Sequence, residues 1–369
     1  MDDARIVLQD GTTIGGWTEY RIDSDFLTPT DGWSFSYSHP GAQYDFATVR
    51  PDAKVGIRVG GVLQLTGWVD SVRRSSSSSG GLQISVSGRD VLKVLCKANV
   101  PPDLTIKNKT VLETVEHLVN LYYKDPPTVY YGVDENRLVM GLPKGSAKNR
   151  TKQQKKLVDY CQPHPNEGCF EFMSRIIRRF GLWVWATADG GIVVSGPDYD
   201  QAPSYSIVRR RGGKAIEYPT ATYTHDRTSV PSYMLVRGKA KAKEWAKGYA
   251  FGEVKDSDAD TTHYDEPSYV QHDEAVDGAE AAAFARQELS RLKQNEKVYE
   301  CTAVGHHDRV TGNVFALDTI ATVDDEILQV KGDFYVIGRT FNKSVSGGTT
   351  TDLRMVPPGA IQFSDVDAP

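Results

Sequence analysis

Period-two alternation dominates the first hundred residues. Ile6-Val7-Leu8 opens as a strand, Val49 to Val59 leads through Gly60-Gly61 into Val62-Leu63-Gln64-Leu65, and Trp68-Val69-Asp70-Ser71-Val72 and Leu82-Gln83-Ile84-Ser85-Val86 follow. Alternation broken by Gly and Ser turns at short spacing predicts an antiparallel barrel or sandwich with one wet face. The Ser75 to Gly81 stretch is of low complexity and reads as a flexible hairpin tip.

The period then changes. Thr110 can cap a helix and Glu113 completes a capping box, with Val111, Leu112, Val115, Leu118, Val119 and Tyr122 on one face and Pro126-Pro127 as the stop. A second helix is predicted from Glu167 to Phe180, with Met173, Ile176, Ile177 and Phe180 inward, Arg178 and Arg179 in the last turn and Gly181 after it. Leu182-Trp183-Val184-Trp185, a turn at Asp189-Gly190-Gly191 and Ile192-Val193-Val194 make a hairpin. Strands are predicted around Ala221 to Tyr223 and Tyr233 to Val236, a loop at Asp256 to Asp260, and a third helix over Gly278 to Leu292 with Ala281, Phe284, Ala285, Leu289 and Leu292 on one stripe. Sheet returns at Val298 to Val304, Thr319 to Val323, Phe334 to Ile337 and Leu353 to Val356.

Gly61-Val62-Leu63-Gln64-Leu65 before Gly67, and Asp333-Phe334-Tyr335-Val336-Ile337 before Gly338, share a turn, an apolar strand and a glycine, each followed by a small-residue hairpin tip and a further strand. The match needs one gap, and it points to two similar barrels at opposite ends of the sequence. The predicted fold class is α+β, mainly β: two β-barrel-like domains with intervening α/β insertions. The predicted domains are 1–100 (N-terminal β-barrel), 101–200 (helix-containing α+β), 201–295 (mixed α+β segment contributing to the second barrel) and 296–369 (C-terminal β-barrel strands).

A length of 369 residues favours two or three domains, and 39% hydrophobic with 25% charged residues is a globular balance, not that of a disordered chain. Apolar runs such as Leu182 to Ala186 and Ile192 to Val194 are far short of a bilayer span, so no membrane span is expected. The acidic start Met1-Asp2-Asp3-Ala4-Arg5 lacks the build of a secretory signal. Cys96, Cys161, Cys169 and Cys301 are too few and scattered for a disulfide framework. A net charge of −5 gives no general attraction for nucleic acid, and no specific nucleic-acid binding is expected.

Enzymatic markers are missing: no phosphate loop, strand-linked Gly-x-Gly-x-x-Gly, His-Glu-x-x-His or nucleophile elbow occurs. Cys161, His164, Glu167 and Cys169 offer zinc-type ligands, but not in paired Cys-x-x-Cys spacing, and read as a polar loop leading into the second helix. His306-His307-Asp308 near Cys301 reads as a solvated turn, since adjacent histidines tend to point to opposite sides. With 48 acidic residues no carboxylate pair can be singled out for glycoside hydrolysis. The basic stretch of Lys144, Lys148, Arg150, Lys152, Lys155 and Lys156 has no interleaved aromatics for base stacking and reads as a solvated loop. No catalytic, cofactor-binding or metal residue is therefore assigned, and no cofactor is expected.

Three stretches carry a resemblance: Gly88-Arg89-Asp90 after the first hairpin, Leu65-Thr66-Gly67-Trp68-Val69-Asp70, and Glu167 through Leu182, where a Phe-x-x-x-Arg core runs towards an Arg-Gly-Leu-like end with Phe180 interposed before Gly181. With Phe334 to Gly338 as a late barrel strand, the chain resembles the baseplate hub proteins of contractile-tailed phages, the late control gene D and Mu-like tail protein family. The resemblance implies a structural, non-enzymatic subunit of the virion tail baseplate, assembled in the host bacterial cytoplasm. Three copies would form a homotrimeric ring whose six barrels match a sixfold tail tube and whose true threefold symmetry matches a trimeric spike. With the chain ending at Pro369, the spike is expected to be a separate protein. The implied partners are the chain itself, that spike, and tail tube and baseplate subunits. The competing readings are a tail-tip carbohydrate-binding receptor protein and a tail-associated lysin.

Overall fold

The structure, a computed structural model, describes residues 3–39, 49–77, 81–131, 157–178, 182–212, 217–239, 249–261, 264–272 and 278–360. The first seven strands are β1 (Ala4–Leu8), β2 (Thr13–Ile14), β3 (Glu19–Asp25), β4 (Gly32–His39), β5 (Lys54–Val59), β6 (Val62–Ser77) and β7 (Gly81–Asp90). Alternate residues are buried, as in Val55, Ile57 and Val59 of β5, so one face meets a core and the other meets water. Gly60 and Gly61 join β5 to β6 with φ of 57° and 85°. A two-residue turn with positive φ at both central positions matches the twist of its strands, and glycine adopts it without strain.

The middle of the chain forms α1 (Lys93–Lys97), β8 (Ile106–Thr110), α2 (Val111–Tyr122), β9 (Val129–Tyr131), β10 (Leu157–Cys161), α3 (Cys169–Arg178), β11 (Trp183–Ala186) and β12 (Ile192–Ser195). The capping box is as the sequence predicts: the Thr110 hydroxyl accepts from Glu113 N at 3.2 Å, and Glu113 Oε2 accepts from Thr110 N at 2.7 Å. Val115, Leu118 and Val119 of α2 pack with Phe172, Met173, Ile176 and Ile177 of α3 in a core separate from that of the main sheet. Helix α3 starts two residues later than predicted, and Arg179, Phe180 and Gly181 lie outside the described residues.

The remaining elements are β13 (Tyr205–Arg209), β14 (Thr220–His225), β15 (Tyr233–Lys239), β16 (Tyr249–Lys255), β17 (Pro267–His272), α4 (Gly278–Lys293), β18 (Lys297–Val304), β19 (Thr319–Asp325), β20 (Val330–Ser344) and β21 (Gly348–Val356). Strands β16, β15 and β17 form a small sheet covered on one face by α4, through Met234, Val236, Ala281 and Ala285. Sheet and helix meet at Gly252, where a Cβ would lie 2.0 Å from Ala282 N.

The mainly β, α+β class holds, but the strands do not close into barrels. Both ends of the chain share one thirteen-stranded sheet in the order β14-β18-β21-β20-β3-β4-β7-β6-β5-β1-β2, with β19 on β20 and β13 parallel to β19. The seam is β3 against β20, from Asp25 opposite Gly338 to Tyr20 opposite Lys343. Closure fails because β20 is long enough to serve two neighbours in succession: its first half pairs with β19 and its second half with β3. One apolar cluster accordingly joins Trp17, Phe35, Ile57 and Val86 with Tyr299, Phe334, Phe341 and Leu353. Among the described residues no helix is long and apolar enough to cross a membrane.

Candidate assembly surface

The small sheet has a second face that nothing in the described residues covers. Because side chains alternate along a strand, the residues opposite the α4-packed set all point the same way. They include Tyr233, Leu235 and Arg237 of β15, Tyr249 and Phe251 of β16 and Tyr269 of β17, with Glu253 and Lys255 of β16 beside Leu235 and Tyr233, and Tyr249, Phe251 and Tyr269 are exposed by 49%, 54% and 68%. The Arg237 guanidinium lies 3.3 Å from the centre of the Tyr249 ring, and the hydroxyls of Tyr233 and Tyr269 are 3.1 Å apart. Contiguous exposed aromatics of this kind mark contact surfaces more often than solvated ones.

An ionic clamp fixes this module. Arg227 bonds Asp256 at 2.5 Å and Glu296 at 2.7 Å, and Lys293 at the end of α4 bonds Asp256 at 2.7 Å and Asp258 at 3.2 Å. Burial would raise the Asp256 carboxyl, but Lys293 and Arg227 hold it below its ordinary value. Every charge in the cluster has an opposite partner, so the arrangement is a joint between elements and not a prepared ligand site.

The residues weighed for chemistry are placed as follows. Cys161 and Glu167 do come together, but around the guanidinium of Arg175, while His164 joins them through its backbone amide, which donates to Glu167 Oε2 at 2.8 Å. The guanidinium donates to Glu167 Oε1 at 2.8 Å, to Gln162 O at 2.9 Å and to Cys161 Sγ at 3.5 Å. A cation thus occupies the centre that a metal would need. Cys169 is fully buried, and burial pushes its thiol up to about 12, so it is not a thiolate at neutral pH. The basic stretch 144–156 lies outside the described residues.

The expectation of a solvated turn at His306-His307-Asp308 is overturned. His306 is fully buried, its Nε2 2.8 Å from Tyr20 Oη and its Nδ1 2.9 Å from Thr351 Oγ1, with the Phe341 ring 4.6 Å away. Asp308 is buried as well and accepts from the Thr311 amide and hydroxyl. The reason is long-range: partners 286 residues upstream and 45 downstream satisfy the ring, so its burial costs little. A second such node is Arg339, whose NH1 donates to Gln64 Oε1 at 2.8 Å and Phe315 O at 2.9 Å while its NH2 donates to Ser24 Oγ at 2.9 Å. Sequence reading missed it, because an arginine on an alternating strand looks like an outward one.

The Gly-Arg-Asp stretch and its partner strand form a tight corner between β6 and β7. A Cβ on Gly67 would sit 2.0 Å from Arg89 O, and one on Gly88 would sit 2.2 Å from Trp68 O and 2.3 Å from the Trp33 ring, so both strands need glycine to cross. Arg89 Nε donates to Asp70 at 2.7 Å, and Lys93 donates to the same carboxylate at 3.0 Å. Buried Asp90 then turns the chain into α1, accepting from Leu92 N, Asp31 N and the Thr30 hydroxyl. Residues 5–90 match the sequence model of the Mu phage baseplate assembly protein GpP-like family, N-terminal region. This stretch is similar in sequence to the N-terminal domain of that family.

The matched stretch ends at Asp90, on the corner that closes β7. Across the whole chain, the fold is that of phage tail proteins. The tail protein from Neisseria meningitidis MC58 superimposes with a TM-score of 0.79 at 21% identity over 97% of each chain. The 43 kDa tail protein of prophage MuSo2 from Shewanella oneidensis does so at 0.77 and 17% identity, over 98% of this chain and 100% of that one. An E. coli component of the type VI secretion system, itself described as similar to the T4 tail proteins gp27 and gp5, matches at 0.55 and 9% identity over 95% of this chain and 76% of its own. No curated protein matches in sequence.

Proposed function

We propose that the chain is a structural baseplate hub subunit of a contractile phage tail or tail-like injection particle. In this reading three copies form a ring that adapts the sixfold tail tube to a threefold central spike, the spike being a separate polypeptide. The observation that carries it is the GpP-like stretch joined, through one continuous sheet, to a second long hairpin at the other end of the chain. Residues 1–100 would supply one ring position and residues 296–369, with help from 201–295, the other; residues 101–200 would form the α+β insertion. Two similar positions per chain let three chains approximate six, which suits a ring between unlike symmetries. The role is non-enzymatic, and the neighbours are tube, spike and baseplate subunits in the virion, with assembly in the host cytoplasm.

The test is mass by light scattering at high protein concentration, alone and with the spike subunit. The expected mass is that of three copies in at least the second condition. A dimer or a persistent monomer in both overturns the ring.

The exposed Tyr249, Phe251 and Tyr269 favour one second reading, a tail-tip receptor that stacks its rings on sugars. Binding of the isolated subunit to a glycan array, lost on Phe251→Ala, would establish that reading instead.

A further inference from the structure

We infer that neighbouring copies join edge to edge, with strand β14 of one copy pairing against the β1–β2 end of the next. The inference rests on the ring reading and names the contact that closes it.

The first observation is the state of β14. It pairs antiparallel with β18 from Thr220 opposite Thr302 to His225 opposite Lys297, and it has no second strand partner among the described residues. One step further along the same register, Asp226 N donates to Glu296 O at 2.7 Å. Bonded and non-bonded pairs alternate in an antiparallel ladder. Thr220, Thr222 and Thr224 therefore bond inward to β18, while Ala221, Tyr223 and His225 turn their backbone groups to the open edge.

Proteins normally guard such an edge with lysine, proline, a bulge or a covering segment. Thr220-Ala-Thr-Tyr-Thr-His225 has none of the first three, and its threonine side chains are exposed. It is a strand of favourable composition, six residues long, paired in unbroken register with β18 and, among the described residues, with no strand on its other edge.

The second observation is the other end of the same sheet. Leu8 N bonds Thr12 O at 2.9 Å and Ile6 lies opposite Ile14, so by the same alternation Thr13 turns its backbone groups outward. Thr12 and Thr13 are exposed. Among the described residues the main strand order thus ends in two unlike edges without a second strand partner, β14 and β2, with β13 a third on its own branch, and the first two present threonines, which pair well across strands. A contact between unlike edges regenerates itself with every added copy until the ring closes. A foreign strand would satisfy one edge only; a second copy satisfies both.

The test is Ala221→Pro, which removes an amide that faces the open edge and leaves the amides bonding β18 in place. Proline is tolerated at that side of an edge strand. Thr222→Lys, a charge on an exposed edge side chain, is the second variant in case the first does not fold. Light scattering across a concentration series, alone and with the spike subunit, should show three copies of the wild type in at least the second condition and at least a tenfold weaker association for both variants there, with unchanged melting. The Tyr223 amide should exchange slowly in assembled wild type and fast in the variants. Variants that assemble as tightly as the wild type overturn the edge pairing and leave the ring standing. If only Thr222→Lys folds, its association decides in the same way. A wild type that stays monomeric alone and with spike overturns the ring, and this contact with it.

Discussion

The two long hairpins, β6–β7 and β20–β21, do the same job in opposite halves of the sheet with different chemistry. Each begins with an unusually long strand, and each pairing slips register once, between Val69 and Ser71 in β6 and between Val336 and Gly338 in β20. An extra residue at such a point bends the strand and lets it serve two neighbours. The bend of β6 is built from glycines at backbone contact and a half-exposed ion pair, Asp70 with Arg89. The bend of β20 is built from a run of buried residues and the buried guanidinium of Arg339, which reaches β3 and β6. One shape is reached by steric necessity in the first case and by polar satisfaction in the second.

The largest expected difference lies at the two glycines that the sequence comparison pairs. At Gly67 a Cβ would meet the backbone oxygen of Arg89 at 2.0 Å, and backbone cannot give way without opening the corner. At Gly338 the nearest atom is the Asp25 carboxylate at 3.1 Å, a side chain that can turn aside. Gly67→Ala should cost ~3 kcal/mol and Gly338→Ala under ~1 kcal/mol by denaturant unfolding. Equal costs would mean that the two bends are sterically equivalent and would dissolve the contrast.

The arginines come next. Arg339→Met strands Gln64 Oε1, Phe315 O and Ser24 Oγ in the interior, at a cost of ~2 to 3 kcal/mol for lost hydrogen bonds to a charged group. Arg89→Met breaks a pair whose side chains keep 31% and 22% exposure, and should cost ~1 kcal/mol or less. If Arg89→Met proves the more damaging, the pair at the β6–β7 corner outweighs the buried guanidinium and the contrast between the two bends is reversed.

How much of this was legible beforehand follows the range of the interactions. Helix α2 was, because Thr110 and Glu113 act three residues apart, and α4 was, because Ala281, Ala285 and Leu289 repeat along one face. The strands from Val298 onward were too, since their alternation is strong. Strands β3 and β4 escaped detail: β3 buries only Tyr20, Ile22 and Ser24, and a buried serine reads as solvent-facing until its partner Arg339, 315 residues away, is known. The open sheet escaped for the same reason, since no local signal says that β20 pairs β3 as well as β19. At the candidate surface, Tyr249 and Phe251 alternate with buried Ala250 and Gly252. Which face is covered depends on α4, and nothing within β16 states that.

The smallest effect is a pH dependence that belongs to the β6–β7 corner alone. Asp70 faces Arg89 at 2.7 Å, Lys93 at 3.0 Å and Lys97 at 3.7 Å. Burial by itself would raise its carboxyl, but the hydrogen bonds and charges of Arg89 and Lys93 bring it down to about 2. An unfolded aspartate titrates near ~3.9, so the folded chain binds fewer protons between the two values. The stabilisation is therefore complete above pH ~4 and is lost as pH falls through the folded value. Asp70→Asn should lower stability at pH 7 and converge on the wild type near pH 2, in denaturant midpoints taken at half-unit steps. The guanidinium of Arg339, although burial lowers it to about 10, stays charged throughout that range and brings no proton-linked change of its own. An Asp70→Asn deficit that persisted undiminished at pH 2 would show that the carboxylate acts by shape and hydrogen bonding, as the glycines do, and the corner would then contain no electrostatic element to set against the buried seam.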